Sequence, residues 1–299
     1  MQKTSFNLSL TTQGPTYPPS EVMDRDGNFI VIGALNKPGS YGAPVTEWGS
    51  AVVSRNSPVP AFGERVPYEI VEAFDLENMP QHLRERVLHT LPVPLPCNNY
   101  DMIFAPAQYP LANSEKRKSY PFHETPIPDA EWWHGRQMRA PVTLGDWIKA
   151  QGELSISLEN GGREARFRFR FNGLVPNSLY TIMTLREHDL DPDGATRPAP
   201  LGIPNVFVST DAGEGLFEAV LPDPFPSGER HGNRVINVVV LFMSYQMSHG
   251  GAIGRYGLGG DIHAQLKLKE PSFFELETKP FPQPIASPAF EGEILSQNV

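Results

Sequence analysis

Ala165-Arg166-Phe167-Arg168-Phe169-Arg170-Phe171 decides the fold class. Phenylalanines recur at every second position and arginines fill the gaps, which is the period of a strand with one buried and one wet face. Just upstream, Leu154, Ile156 and Leu158 alternate with Ser155 and Ser157. Glu159-Asn160-Gly161-Gly162 joins the two runs, and Asn-Gly tolerates the positive φ that a tight hairpin needs. The pair therefore reads as an antiparallel hairpin with a phenylalanine core face.

Working outward, strands are predicted over 179–185, 205–209, 216–221, 235–243 and 261–268. The 235–243 run is almost continuously apolar and β-branched, which suits a central strand covered on both faces. In the last strand Ile262, Ala264, Leu266 and Leu268 are assigned inward, and Asp261, His263, Gln265 and Lys267 outward. Seven strands in about 115 residues predict a mostly β protein built on a seven-stranded antiparallel Greek-key sandwich over 152–269.

The half before it is irregular. With 31 Pro and 26 Gly in 299 residues, long helices are disfavoured throughout. Short strands are expected at 29–33 and 101–105. Residues 80–90 read as a helix, with Pro80 in its first turn and an apolar stripe of Leu83, Val87, Leu88 and Leu91. A second short helix is expected at 67–74, and Thr143-Leu144-Gly145-Asp146 resembles a capping box opening a third. No element is assigned to 36–66 or 106–142. The predicted organisation is a loop-rich wrap over 1–142, a sandwich domain over 143–269 and an extended tail over 270–299. No polar linker separates the halves, so they are expected to merge and to build any site together.

Composition excludes some functions. A net charge of −9 with no long Lys/Arg block argues against nucleic-acid and anionic-membrane partners. The short run Lys116-Arg117-Lys118 reads as a solvated loop tip. Cys97 is the single cysteine, so neither a disulfide framework nor a cysteine zinc site is possible within the chain. No run approaches the ~18 apolar residues of a membrane span, and the N-terminus lacks a signal-peptide core, so a cytoplasmic location is expected.

Three constellations could carry chemistry. His123, Glu124 and His134 supply the residue types of a 2-His-1-carboxylate iron site or part of a zinc site, a divalent-metal centre of catalytic type. Their spacing matches no helical or strand template, and the flanking Trp132 and Trp133 are equally suited to stapling a loop to the sheet. Asp189-Leu190-Asp191-Pro192-Asp193-Gly194 resembles the opening of a calcium loop, with Asp189, Asp191 and Asp193 as oxygen ligands. Pro200 stands where an EF-hand places its bidentate Glu, and an ordinary Asp-rich turn explains the same residues. His249 and His263 flank the glycine-rich stretch 250–260, which has no phosphate-binding fingerprint but permits close approach of a ligand. Trp133, Arg136, His249, Arg255, Tyr256 and His263 are the expected ligand-binding set. No Gly-x-Ser-x-Gly elbow occurs, and Cys97 has no evident base, so nucleophilic catalysis has no sequence support.

Two functions follow as expectations. One is a small-molecule or metal-dependent binding or catalytic site where the N-terminal loops cross the sandwich edge, because loops on a rigid scaffold are where chemistry concentrates. The other is assembly, including homo-oligomer formation, through proline-rich arms at 13–20 and 279–290 that would lie extended on a neighbour.

Overall fold

Phe167, Phe169 and Phe171 are buried in the computed structural model, while Arg168 and Arg170 stand on the solvent face, as the alternation requires. Burying each such ring contributes about 1.5–3 kcal/mol relative to leaving it exposed. The structure describes residues 3–14, 19–59, 64–92, 116–126, 140–190, 198–226, 233–251 and 261–276. The fold is mostly β, and its sheets are antiparallel.

Strands β1 (Lys3–Leu10), β2 (Phe29–Lys37), β3 (Val45–Val53) and β4 (Ile70–Ala73) come first. Two one-turn helices follow, α1 (Gln81–Arg84) and α2 (Leu144–Trp147). Then come β5 (Gln151–Glu159), β6 (Glu164–Asn172), β7 (Leu179–Arg186), β8 (Ala199–Pro200), β9 (Val206–Val208), β10 (Gly215–Pro222), β11 (Val235–Met243) and β12 (Ile262–Lys267). The larger sheet curls into a half-barrel with the order β10-β6-β5-β1-β12-β11-β7-β8, and β9 also pairs with β7. The smaller sheet is β2-β3-β4.

The strands expected in the C-terminal half are present, and the β5–β6 hairpin pairs Leu154 with Phe169 and Ile156 with Phe167 as its turn dictates. What joins them differs from expectation. β1, to which no element is assigned above, pairs with β5 through residues 3–8 and with β12 through Ser9 and Leu10. It thus makes one continuous sheet of the two groups of strands. Both groups send side chains to one core: Phe167, Phe169 and Phe171 from one side meet Tyr180, Val240 and Phe242 from the other.

β12 corrects a second expectation. Its register against β11 shifts between Val240 and Leu241, which pair with Leu266 and Ala264, leaving Gln265 as the extra residue of a bulge. Ile262 and Ala264 consequently pack with Met183, Val239 and Leu241, while His263 stacks against Phe122 of the main core. A one-residue slip reverses every side chain up to the bulge, so His263 points inward rather than to solvent.

In the N-terminal half, 67–74 is not helical: Ile70–Ala73 forms a strand paired with β3, as the adjacent β-branched Ile70 and Val71 favour. β3 itself lies inside 36–66, where no element is expected. The predicted helix at 80–90 shrinks to the single turn of α1. Leu88, from its apolar stripe, is instead buried on an extended segment bonded to Val142 and Phe122. The capping box is present in full: Thr143 accepts from the Asp146 amide at 3.1 Å, and the Asp146 carboxylate accepts from the Thr143 amide at 3.2 Å. Such a cap contributes about 1 kcal/mol.

The arm expected at 13–20 is stitched into the protein at both ends. Gln13 donates to Pro19 and Ala34 carbonyls and accepts from the Ala34 amide at 2.7 Å, and Ser20 donates to the Ile30 carbonyl. A Cβ at Gly33 would sit 2.1 Å from the Gln13 Oε1, so only glycine leaves room for this contact. The strand expected at 101–105 and the tail at 279–290 lie outside the described residues.

Candidate functional site

Among the described residues, buried polar side chains gather where segment 116–126 crosses the ends of β11 and β12. One amino group of Arg117 donates to the Tyr245 hydroxyl, and the other donates to the Asp261 carboxylate and to the Leu91 carbonyl, the latter at 3.2 Å. The pair is sealed, with side-chain exposures of 12% for Arg117 and 5% for Asp261. Arg117 Nε is also buried, and it has no hydrogen-bond acceptor among the described residues. Burial pushes the Asp261 carboxyl up, and the Arg117 guanidinium works against that shift. The Tyr245 hydroxyl is raised by burial and by the nearby Asp261 carboxylate. The middle residue of the basic run is thus a buried ion pair and not part of a solvated tip.

Next to it lies His263, which is 2% exposed. Its Nδ1 sits 2.9 Å from the Glu21 carbonyl oxygen and its Nε2 2.9 Å from Ser244 Oγ. A carbonyl can only accept, so Nδ1 carries the proton and the Nε2 lone pair receives the Ser244 hydroxyl. Phe122 covers the imidazole with ring centroids 4.2 Å apart. Burial drops the His263 pKa to about 3, and the Arg117 charge adds to the shift, so the ring is neutral at physiological pH.

Glu21, 1% exposed, accepts the Ala264 amide at 2.5 Å. Farther along β12, the Lys267 ammonium donates to the Gly14 carbonyl at 3.3 Å and lies 5.5 Å from the Trp48 ring centroid. Burial lowers its pKa to about 8, against the pull of Glu21. The group as a whole carries balanced charge, two cations facing two carboxylates.

Of the residues expected to form sites, His123 and Glu124 sit together on the 3-10 turn that follows Pro121, with Nε2 and Oε1 3.5 Å apart. Glu124 is 63% exposed and His123 only 14%, so this contact is an edge pair in water. Asp189 accepts the Arg186 amide at 2.8 Å, the backbone-capping role of an ordinary turn. His249 is half-buried beyond the end of β11. His134, Trp133, Arg136, Arg255, Tyr256, Asp191 and Asp193 lie outside the described residues. Among the described residues, no group of three or more His, Cys, Asp or Glu is placed to hold a metal ion, and no helix is long and apolar enough to cross a membrane.

Among the described members of the expected set, only His263 belongs to the buried cluster. Arg117, Tyr245, Asp261, Glu21 and Ser244 were missed. Arg117 and Asp261 are 144 residues apart, and Ala264 and Glu21 are 243 apart, so no local period signals either contact. One signal was available: Asp261 opens an apolar strand and needs a cation if that strand is buried on both faces.

No protein-family model matches the chain, and no curated protein is significantly similar to it in sequence.

Proposed function

We propose that the chain binds, and acts on, a small molecule at the seam where segment 116–126 crosses the ends of β11 and β12. The supporting observation is the convergence there of Arg117, Tyr245, Asp261, Ser244 and His263, drawn from both halves of the chain, with a buried Arg117 N–H that still requires an acceptor. Leaving such a donor unmet costs about 1–3 kcal/mol, and a ligand oxygen would remove that penalty. In this proposal the two groups of strands joined by β1 act as the layers of a Greek-key sandwich, and the seam is its edge. His123 and Glu124, beside Phe122, would stand at the rim.

Ligand-detected NMR with a fragment library tests the site. Binders are expected whose signal changes are lost in Tyr245→Phe, a substitution that removes one hydroxyl and keeps the packing. A chain that binds no fragment, or whose binders ignore Tyr245→Phe, overturns the reading. The metal-dependent version requires stoichiometric iron or zinc in protein purified without chelator.

An assembly role is favoured by a different observation. Ile203, Val208 and Leu216, near or on β9 and β10 at the two ends of the curled sheet, are 84%, 63% and 74% exposed. Light scattering after size exclusion should then give a mass above one chain, reduced to a monomer by Leu216→Glu; a monomeric wild type removes this reading.

A further inference from the structure

Ser244 and His263 have the geometry of a nucleophile and its base. The Ser244 hydroxyl lies 2.9 Å from an imidazole nitrogen that can only accept its proton, because the other nitrogen is committed to the Glu21 carbonyl 2.9 Å away. A nucleophile in hydrogen-bond reach of a base, with the base oriented by a third group, is the arrangement that makes a serine reactive. The Glu21 carbonyl takes the orienting place that a carboxylate fills elsewhere, and Glu21 is itself held by the Ala264 amide next to His263.

A second observation points to what such a serine would meet. Arg117 Nε is a buried donor with no acceptor among the described residues, and Arg117 is paired with Asp261, two residues before His263. A carbonyl oxygen that gains charge during attack is the acceptor such a donor suits. The surroundings choose the rest of the molecule. Arg117 is already neutralised by Asp261, and Phe122 and Phe242 pack beside His263, so these surroundings favour an uncharged apolar acyl group over an anion.

We propose that Ser244 is a nucleophile, activated by His263, toward small uncharged esters that enter the seam. This inference rests on the reading of the seam as a binding site. In the first step Ser244 Oγ bonds to the ester carbonyl carbon, its proton passes to His263 Nε2, and the carbonyl electron pair moves onto oxygen toward Arg117 Nε. The pair then returns, the carbon–alkoxide bond breaks, and the alcohol leaves with the proton from Nε2. Water repeats the sequence on the acyl-serine, giving the carboxylic acid and free Ser244 with no oxidant or cofactor consumed. Ser244 is fully buried and Phe122 covers His263, so ester reaches the hydroxyl only when the 116–126 segment lifts.

A fluorophosphonate probe tests this on the full chain, since attack by serine forms an Oγ–P bond and expels fluoride. Intact mass should show one adduct per chain, mapped to Ser244 and absent in Ser244→Ala. His263→Gln should slow labelling by about 100-fold or more. Should that variant fail to fold, the wild-type rate profile replaces it. With a neutral base already in place the rate stays flat from pH 6 to 8, whereas an unassisted hydroxyl reacts about tenfold faster per pH unit as alkoxide forms. The charged groups facing His263 are Arg117, Glu21 and Asp261, and Tyr245 borders them, so a step near neutral pH would have to come from outside this set. No adduct, an adduct on another residue, or a Ser244 adduct with the unassisted profile each overturns the proposal. If labelling fails while fragments still bind in a Tyr245-dependent way, the nucleophile is lost and the binding site stands; if both fail, both are lost.

Discussion

Arg117→Met will destabilise the protein by about 3–5 kcal/mol, because it leaves a buried carboxylate without its cation. The Asp261 side chain is 5% exposed, and Arg117 is its ion-pair partner among the described residues. Methionine fills much of the arginine's volume, so the loss measures charge and hydrogen bonding more than cavity. Burial already disfavours the Asp261 charge, and without Arg117 nothing opposes that shift, so the carboxyl will take up a proton at a higher pH than in wild type. The variant should therefore be less unstable at pH 5 than at pH 8, relative to wild type. Arg117→Met with Asp261→Leu removes both members and should recover most of the loss, since well-packed apolar replacements of buried pairs are often neutral or better. Urea melts of wild type and the two variants at the two pH values check this. A single Arg117→Met within about 1 kcal/mol of wild type would show that the pair is open to water and that the seam is not sealed.

That pair also shows where reading the sequence stops. β5, β6 and β11 were legible because each carries its own pattern: alternation for the hairpin, a continuous apolar run for the strand covered on both faces. The box at Thr143 and Asp146 was legible because both members lie within four residues. β1 was not, since four of the six residues Lys3-Thr4-Ser5-Phe6-Asn7-Leu8 are polar and the segment becomes a strand through partners about 150 residues away in β5. The 80–90 stripe was real hydrophobicity with the wrong period: Leu83 and Leu88 are both buried, one on a helical turn and one on an extended segment. Alternation along 261–268 places His263 on the solvent face. The bulge at Gln265, which alternation cannot reveal, turns it into the core beside a serine and a glutamate that no motif singled out.

Stability will fall steeply in mild acid, and His263 will account for much of the fall. In an unfolded chain the ring titrates near its ordinary value of about 6.5, while the folded protein holds it neutral until about pH 3. Above pH 6.5 the ring is neutral in both states and contributes no slope. Between 6.5 and 3 the unfolded chain binds a proton that the folded chain refuses, so the loss runs at about 1.4 kcal/mol per pH unit. Lys267 gives the same sign in a different window. Its folded pKa of about 8 lies below the ordinary value, so stability rises with pH between about 8 and 10.5 and is unaffected by this group lower down. Asp261 opposes the histidine: its raised carboxyl binds a proton more readily in the folded state, which softens the loss at the acid end. Carboxylates held low by surface partners, such as Glu218 beside Arg168 and Arg166, add a loss of their own only as the pH falls through and below the ordinary carboxylate range. The histidine is separable from them by position on the pH axis and by substitution. His263→Gln replaces a ring that titrates in the unfolded chain with an amide that titrates in neither state, so it should be less stable than wild type at pH 7.5 yet lose little more between pH 6.5 and 5. Chemical melts across that interval decide the matter. Parallel acid limbs for wild type and His263→Gln would mean that the imidazole is protonated in the folded state, which would also deprive Ser244 of its base.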